Sequence, residues 1–255
     1  MTSDDIGRRL AEIAEEAGRL ILPLWSAGVE VLRKADDSPV TEADRRAERL
    51  ILDRLAADFP GTPVVSEEDA SEFGTPDAIG PRFFLVDPLD GTKAFVRKDP
   101  NFTVNIALVE DGRPVAGAVV APASGETWFT RASGAAKIAT PGAEPQAIGP
   151  RAASADPLVL ISHTMRPQDL AELKARYVFE RTQAMDSSIK LCRIAEGAAD
   201  LYPRHGPTME WDIAAGHAVL LGAGGRVETV DGAPFLYGKP EFRNPHFVAY
   251  GDWSR

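Results

Sequence analysis

Phe83-Phe-Leu-Val86 is a continuously apolar run that stops against Asp87-Pro-Leu-Asp90-Gly-Thr92. Consecutive apolar residues bounded by turn residues predict a strand covered on both faces. Such a strand belongs inside a layered α/β domain, and its carboxyl end opens on the crevice where ligands of these folds bind. Two carboxylates three residues apart at that point make either a plain turn or a binding loop. Two more segments place acids similarly. Pro63-Val-Val-Ser66 runs into Glu67-Glu68-Asp69, and Glu210-Trp211-Asp212-Ile-Ala-Ala-Gly216 opens a helix.

Taken singly, each is ordinary. An Asp at a helix start is usually a cap, and a Glu-Glu-Asp run is usually a solvated turn. The Asp87–Thr92 stretch carries more. Gly91 removes a side chain where the backbone approaches a ligand, and Thr92 offers a hydroxyl at a helix start. Asp87 and Asp90, with the Leu89 carbonyl between them, form the oxygen-rich set that hard cations select.

Around these segments the chain alternates. Helices are expected over 4–26, with apolar residues at helical spacing, and over 41–58, capped by Thr41 or Ser38. Short strands are expected at 29–32, 63–66 and 83–86, and a loop over 71–82. Residues 102–109, 115–120 and 126–131 predict an antiparallel meander, closed by an Ala, Gly and Pro rich stretch over 132–156. Strands at 158–162, 177–180, 199–202 and 226–230 then alternate with helices at 167–176, 187–197 and 211–223. The expected class is mixed α/β (α+β). Residues 1–150 form an α+β half with the acidic loops, and 151–255 an α/β half with Asp212. The two halves share an interface or count as one domain.

The net charge of −10 and the lack of a basic run argue against a nucleic-acid polymer or an anionic membrane as partner. An acidic protein that binds phosphate must reverse its field locally, and a divalent cation does so. Cys192 is the only cysteine, so a disulfide and a Cys-rich zinc site are both impossible; it is expected to be buried and inert. The four histidines lack metal-ligand spacing, so oxygen ligands are expected. No apolar run approaches the roughly 18 residues of a membrane span, and no export signal is visible; the expected compartment is the cytoplasm. Trp211 is expected to pack a helix start, and Trp25, Trp128 and Trp253 show no aromatic pattern.

The three acidic segments, in this order, resemble the magnesium-dependent, lithium-sensitive superfamily of inositol monophosphatase, and within it the CysQ-type 3′(2′),5′-bisphosphate nucleotidase branch. The likeness extends to Ser38-Pro-Val-Thr-Glu-Ala-Asp44, Asn101-Phe-Thr-Val-Asn-Ile-Ala-Leu108, Ser187-Ser-Ile-Lys190, Leu201-Tyr-Pro-Arg204 and Gly206-Pro-Thr208. It implies a layered αβαβα sandwich. It also implies two or three magnesium ions per site and inhibition by lithium. Glu67, Asp87 and the Leu89 carbonyl would hold one ion, and Asp87, Asp90 and Asp212 a second, with Asp87 bridging. Glu67, Thr92 and Asp44 would be catalytic, with Asp44 behind Thr92. The substrate would be met by Glu67, Leu89, Asp90, Gly91, Thr92 and Asp212, and in the second half by His163, Ser187, Lys190 and Arg204.

The implied substrate is adenosine 3′,5′-bisphosphate, with its sulfated form, in sulfur assimilation. A homodimer and a peripheral place at the inner membrane are implied by the resemblance alone. The alternatives are an inositol or sugar phosphatase and, in another class, a non-catalytic metal- or nucleotide-binding protein. Two residues depart from the pattern: Ala94 stands where Glu is usual after Lys93, and Gly222 stands where the wider superfamily often has Glu.

Overall fold

Leu10, Ile13, Ala14, Ala17 and Ile21 recur at helical spacing and are fully buried, which fixes the inner face of α1 (Ser3–Ala27). The computed structural model describes residues 3–28, 31–33, 39–152 and 155–253. Strands β1 (Val31–Arg33) and β2 (Pro39–Thr41) pair antiparallel. Val29, Glu30 and Ser38 lie outside the described residues. Thr41 is the cap of α2 (Glu42–Asp58). Its Oγ1 accepts from the Ala43 amide at 3.1 Å, and Asp44 Oδ2 accepts from the Thr41 amide at 2.7 Å, closing a capping box.

The larger sheet has seven strands in chain order. Strand β3 (Val64–Ser66) leads into α3 (Glu67–Phe73) and lies parallel to β4 (Arg82–Asp90), which leads into α4 (Thr92–Val96). Then β5 (Thr103–Glu110), β6 (Arg113–Ala121), β7 (Glu126–Arg131), β8 (Gly134–Ile138) and β9 (Gln146–Ile148) continue antiparallel. The second half supplies β10 (Val159–Ile161), α5 (Pro167–Tyr177), β11 (Thr182–Ala184), α6 (Ile189–Ala195), β12 (Leu201–Arg204), α7 (Glu210–Gly222), β13 (Arg226–Thr229) and β14 (Phe247–Tyr250). Its sheet runs β11-β10-β12-β14-β13.

The layers follow from the apolar faces. Helices α1 and α2 cover one face of the seven-stranded sheet through Phe84, Val104, Ile106 and Leu108. Helices α6 and α7 fill the space between the two sheets, and α5 covers the outer face of the five-stranded sheet through Leu173 and Tyr177. That is the αβαβα sandwich. The central position of α7 explains why Ala214, Ala215, Ala218, Val219 and Leu220 are all buried, around its full circumference. Glycines allow the close approach: a Cβ on Gly117 would lie 2.8 Å from the Ala215 carbonyl, and one on Gly216 would lie 2.6 Å from Leu191.

Several expectations are corrected. Strand β4 does not stop at Val86 but continues to Asp90, with an irregular register between Asp87 and Asp90. Residues 67–69 form no turn; they begin α3, and the loop starts only at Gly74. Residues 132–156 contain β8, paired onto β7, and β9, paired onto β8. Residues 177–180 form no strand: Val178 is left-handed (φ 49°) at the end of α5, and the strand follows at β11. The tryptophans do have partners. Trp25 packs on Phe102, Trp253 stacks on Tyr250, and Trp128 lies beneath the Lys137 and Arg193 cations. Trp211 packs on Phe242, and Cys192 is fully buried.

One core residue predicts a pH dependence. His217 of α7 is buried, with Nδ1 2.9 Å from the Tyr237 hydroxyl. Burial, with the Lys239 cation adding to it, pushes its imidazole down to about 3. The unfolded chain takes up a proton below about 6.5, but the folded one does not. Its contribution to stability is therefore complete above about 6.5 and is lost as pH falls toward 3, at up to about 1.4 kcal/mol per pH unit. Urea midpoints measured across this range should fall more steeply for wild type than for His217→Gln; parallel curves would refute the assignment.

Candidate active site

The acids meet where β3, β4 and α7 end. Ligand oxygens of Glu67, Asp87 and Asp212 all lie within 4.8 Å of one another. Glu67 is the first residue of α3, and the buried Asp87 lies within β4. Helix α3 has no capping side chain of its own. Instead Glu48 of α2 accepts from the Glu68 and Asp69 amides at 3.1 and 3.2 Å. Asp87 Oδ1 accepts from the Leu89 amide at 3.0 Å, within the irregular stretch of β4. Asp212 Oδ2 accepts from the Met209 amide at 2.8 Å, so it caps α7 and also belongs to the acid cluster.

Asp90 lines the same cavity but turns differently: its Oδ2 accepts from the Ser188 amide at 2.5 Å. Register explains how it reaches the site. Asp87 opposes Asn105 and Asp90 opposes Thr103, so three steps along β4 match two along β5. The extra residue is a bulge, and it brings both acids to one face of the sheet. Desolvation pushes the carboxyls of Asp90 and Asp212 upward, and the other acids of the cluster add to the shift. Buried like charges at this spacing call for a cation.

Thr92 opens α4 behind Gly91, whose φ of 90° and a Cβ clash at 3.0 Å with the Asn101 carbonyl exclude a side chain. The Thr92 hydroxyl lies 3.3 Å from Asp44 Oδ1 and 3.2 Å from the Leu89 carbonyl. Asp44 is itself buried, and its Oδ2 accepts from the Thr41 hydroxyl at 2.6 Å.

An open cavity of about 310 Å³ extends from the acids to the second half. Ser187, Lys190 and Arg204 line it. Lys190 is no surface lysine: it is 4% exposed, donates to the Met185 and Ser187 carbonyls, and lies 5.0 Å over the Tyr202 ring. Burial pushes its ammonium down to about 8, against the pull of Asp90. Arg204 donates to the Pro207 carbonyl, and its Nε is buried without a partner. His163 is not among the lining residues. It is 43% exposed, its Nδ1 is 3.1 Å from Asp186, and its neighbours Ser162 and Thr164 face the cavity instead.

Sequence reasoning missed Ser162, Thr164, Asp186 and Ser188, all on the lining. Ser187 has φ 54°, a conformation that no residue pattern announces. Of the departures, Ala94 is fully buried beside the acid loop. Gly222 lies at the far end of α7, where a Cβ would meet the Gly134 carbonyl at 2.7 Å.

The inositol monophosphatase family model matches residues 6–249. The chain is 39% identical to the 3′(2′),5′-bisphosphate nucleotidase CysQ of Salmonella typhimurium, over 94% of this chain and 97% of that one. The crystal structure of CysQ from Bacteroides thetaiotaomicron superposes with a TM-score of 0.80 at 34% identity, covering 98% of both chains. An IMPase from Thermotoga maritima gives 0.77 at 26%, over 95% of this chain and 90% of that one. With the acid cluster, the capped Thr92 and the layered sheets in place, the chain belongs to the inositol monophosphatase family.

Proposed function

We propose that this chain is a magnesium-dependent phosphomonoesterase that removes the 3′-phosphate of adenosine 3′,5′-bisphosphate, and of its sulfated form, giving AMP and phosphate from the former. The observation that carries this reading is that one cavity is lined both by the carboxylates and by two cations, Lys190 and Arg204. A cation pair in the same cavity as the acids suits a second phosphate that the metal does not reach. An inositol or sugar monophosphate has no use for it. The relatives named CysQ point the same way.

The donor set fits magnesium. It is all oxygen, it includes a backbone carbonyl, and its carboxylates are crowded and desolvated. Glu67, Asp87 and the Leu89 carbonyl would hold one ion, and Asp87, Asp90 and Asp212 a second, with lithium as a competing inhibitor. When bound, the metal supplies the charge that acidifies water and offsets the charge building on the phosphoryl oxygens.

The remaining work falls to the chain. Glu67 and Thr92 orient the attacking water. Thr92 Oγ1 accepts its proton and releases its own to Asp44 Oδ1, the partner that already faces it. Asp44 is held for this by two bonds from Thr41. The Gly91 and Thr92 amides, at a helix start without intrahelical acceptors, hold phosphate oxygens. Ser187, Lys190 and Arg204 grip the other end of the substrate. Phosphate release should be compared on adenosine 3′,5′-bisphosphate and inositol 1-phosphate under saturating magnesium. A higher kcat/KM on the bisphosphate is expected; faster inositol phosphate turnover, or none on either, would overturn the reading.

A further inference from the structure

Strand β5 presents Phe102, Val104, Ile106 and Leu108 to the α1–α2 layer, while Ala107 and Val109 face the α6–α7 layer. On that second face the strand turns polar at two positions only, Thr103 and Asn105, both fully buried. These two residues oppose Asp90 and Asp87 in the ladder. Nothing in the mechanism above uses them.

Their hydrogen bonds have one direction. Ser188 Oγ donates to Asn105 Oδ1 at 2.7 Å. A hydroxyl has a single proton, so in the 3.0 Å contact between Thr103 Oγ1 and Ser188 Oγ the donor is Thr103. The Asn105 amide is thereby oriented, with its oxygen engaged by Ser188 and its NH₂ directed elsewhere. That Nδ2 is buried and makes no hydrogen bond among the described residues. Leaving a buried N–H donor unmade is costly. Ser188 brings the Asp90 carboxylate beside it, since the same residue holds both side chains. Asp90 is also the acid whose Oδ2 is turned to the Ser188 amide. Ser188 thus touches Asp90 with its amide and Asn105 with its hydroxyl.

We propose that Asn105, backed by Ser188 and Thr103, is a positioning residue whose unpartnered amide N–H engages the Asp90 carboxylate and aims it at a bound divalent cation. The proposal rests on reading the acid cluster as a cation site, but not on which ester is hydrolysed. Groups that orient metal ligands typically change metal affinity by about 10–100-fold when removed.

The test is titration of the protein with Mn²⁺ in the absence of any substrate, followed by calorimetry or by the spin signal of the free ion. Asn105→Leu, of similar volume, is expected to raise Kd by about 10–100-fold. Thr103→Val, which is isosteric, should raise it several-fold, and Thr103→Ser should restore it. Because Leu also takes the acceptor from the Ser188 hydroxyl, a modest loss of stability in EDTA is expected, and the Mn²⁺ Kd is the deciding readout. A purely structural role predicts marked destabilisation in EDTA with an unchanged Kd, and that result would overturn the proposal. If Asn105→Leu does not fold, Thr103→Val decides, and wild-type affinity there refutes it. Wild-type protein that takes up no Mn²⁺ would instead bring down the phosphatase reading and this proposal together.

Discussion

Asp212→Asn is expected to abolish hydrolysis while making the metal-free protein harder to unfold. The first effect follows from the acid cluster. Lewis-acid stabilisation of the transition state is worth several kcal/mol, and each 1.36 kcal/mol is a factor of ten in rate. With Asp212 holding the ion as proposed, its loss should lower kcat by about 10³-fold at fixed magnesium. The second effect has the opposite sign. Asp212 is desolvated and faces Glu67 and Asp90, so its carboxyl is pushed up. A group whose folded value is raised stabilises the fold below its unfolded value of 3.8, and that contribution is lost as pH rises through the folded value.

At pH 7 the metal-free wild type is thus burdened by the charge, and Asn removes it. Asn also keeps the oxygen that caps α7 at Met209. A gain on the order of 1 kcal/mol corresponds to about 2–4 °C for a domain of this size. Melting curves in EDTA and in magnesium check this. Wild type should gain stability from the metal and the variant little. Retained activity, or a lower EDTA midpoint, would show that Asp212 serves α7 alone.

Lys190→Met should separate binding from chemistry. A hydrogen bond from a charged group contributes about 1.5–3 kcal/mol, so kcat/KM on adenosine 3′,5′-bisphosphate should fall by roughly 10–100-fold. The loss on a monophosphate should be smaller, since that substrate has no second anion for the ammonium to meet. Lys190→Arg should recover part of it. Burial holds the Lys190 ammonium near about 8. The cation is present below that pH and lost above it, so the wild-type kcat/KM on the bisphosphate should decline as pH rises through about 8. Equal losses on both substrates would mean that Lys190 supports Asp90 rather than the substrate.

The chemistry was more legible than the architecture around it. Glu67, Asp87, Asp90 and Asp212 could be singled out because each acid follows an apolar run or opens a helix, and such positions gather at one end of a layered fold. Strands β8 and β9 could not, because Ala, Gly and Pro have low strand propensity and only the ladder from β7 through β8 to β9 makes them strands. Tyr177-Val-Phe179 has strand-like composition. Yet Tyr177 and Phe179 are buried as anchors for α5, and Val178 between them is 78% exposed. Helix α3 looked like a turn because its cap, Glu48, lies some twenty residues upstream on α2. His163 matched a motif position, but the residues on either side of it face the cavity. Asn105 lies in a stretch that resembles the family, but nothing singles out one amide in a strand until its neighbours are known.

The additional residue in β4 has a consequence for how such a chain can diverge. In an unbroken strand, side chains three apart point to opposite sides. Asp90 shares a side with Asp87 only because the spacing between them is odd and the partner strand's is even. Pro88 and Leu89 are both buried, and Leu89 packs into the α1–α2 layer, so replacements there must stay apolar as well as keep their number. Deleting either would match two steps on β4 to two on β5: Asp90 would keep its side, but the bulge would vanish and the backbone it lifts between Asp87 and Asp90 would be drawn back into the ladder. Lineages of this enzyme can drift in letters here, but not in count.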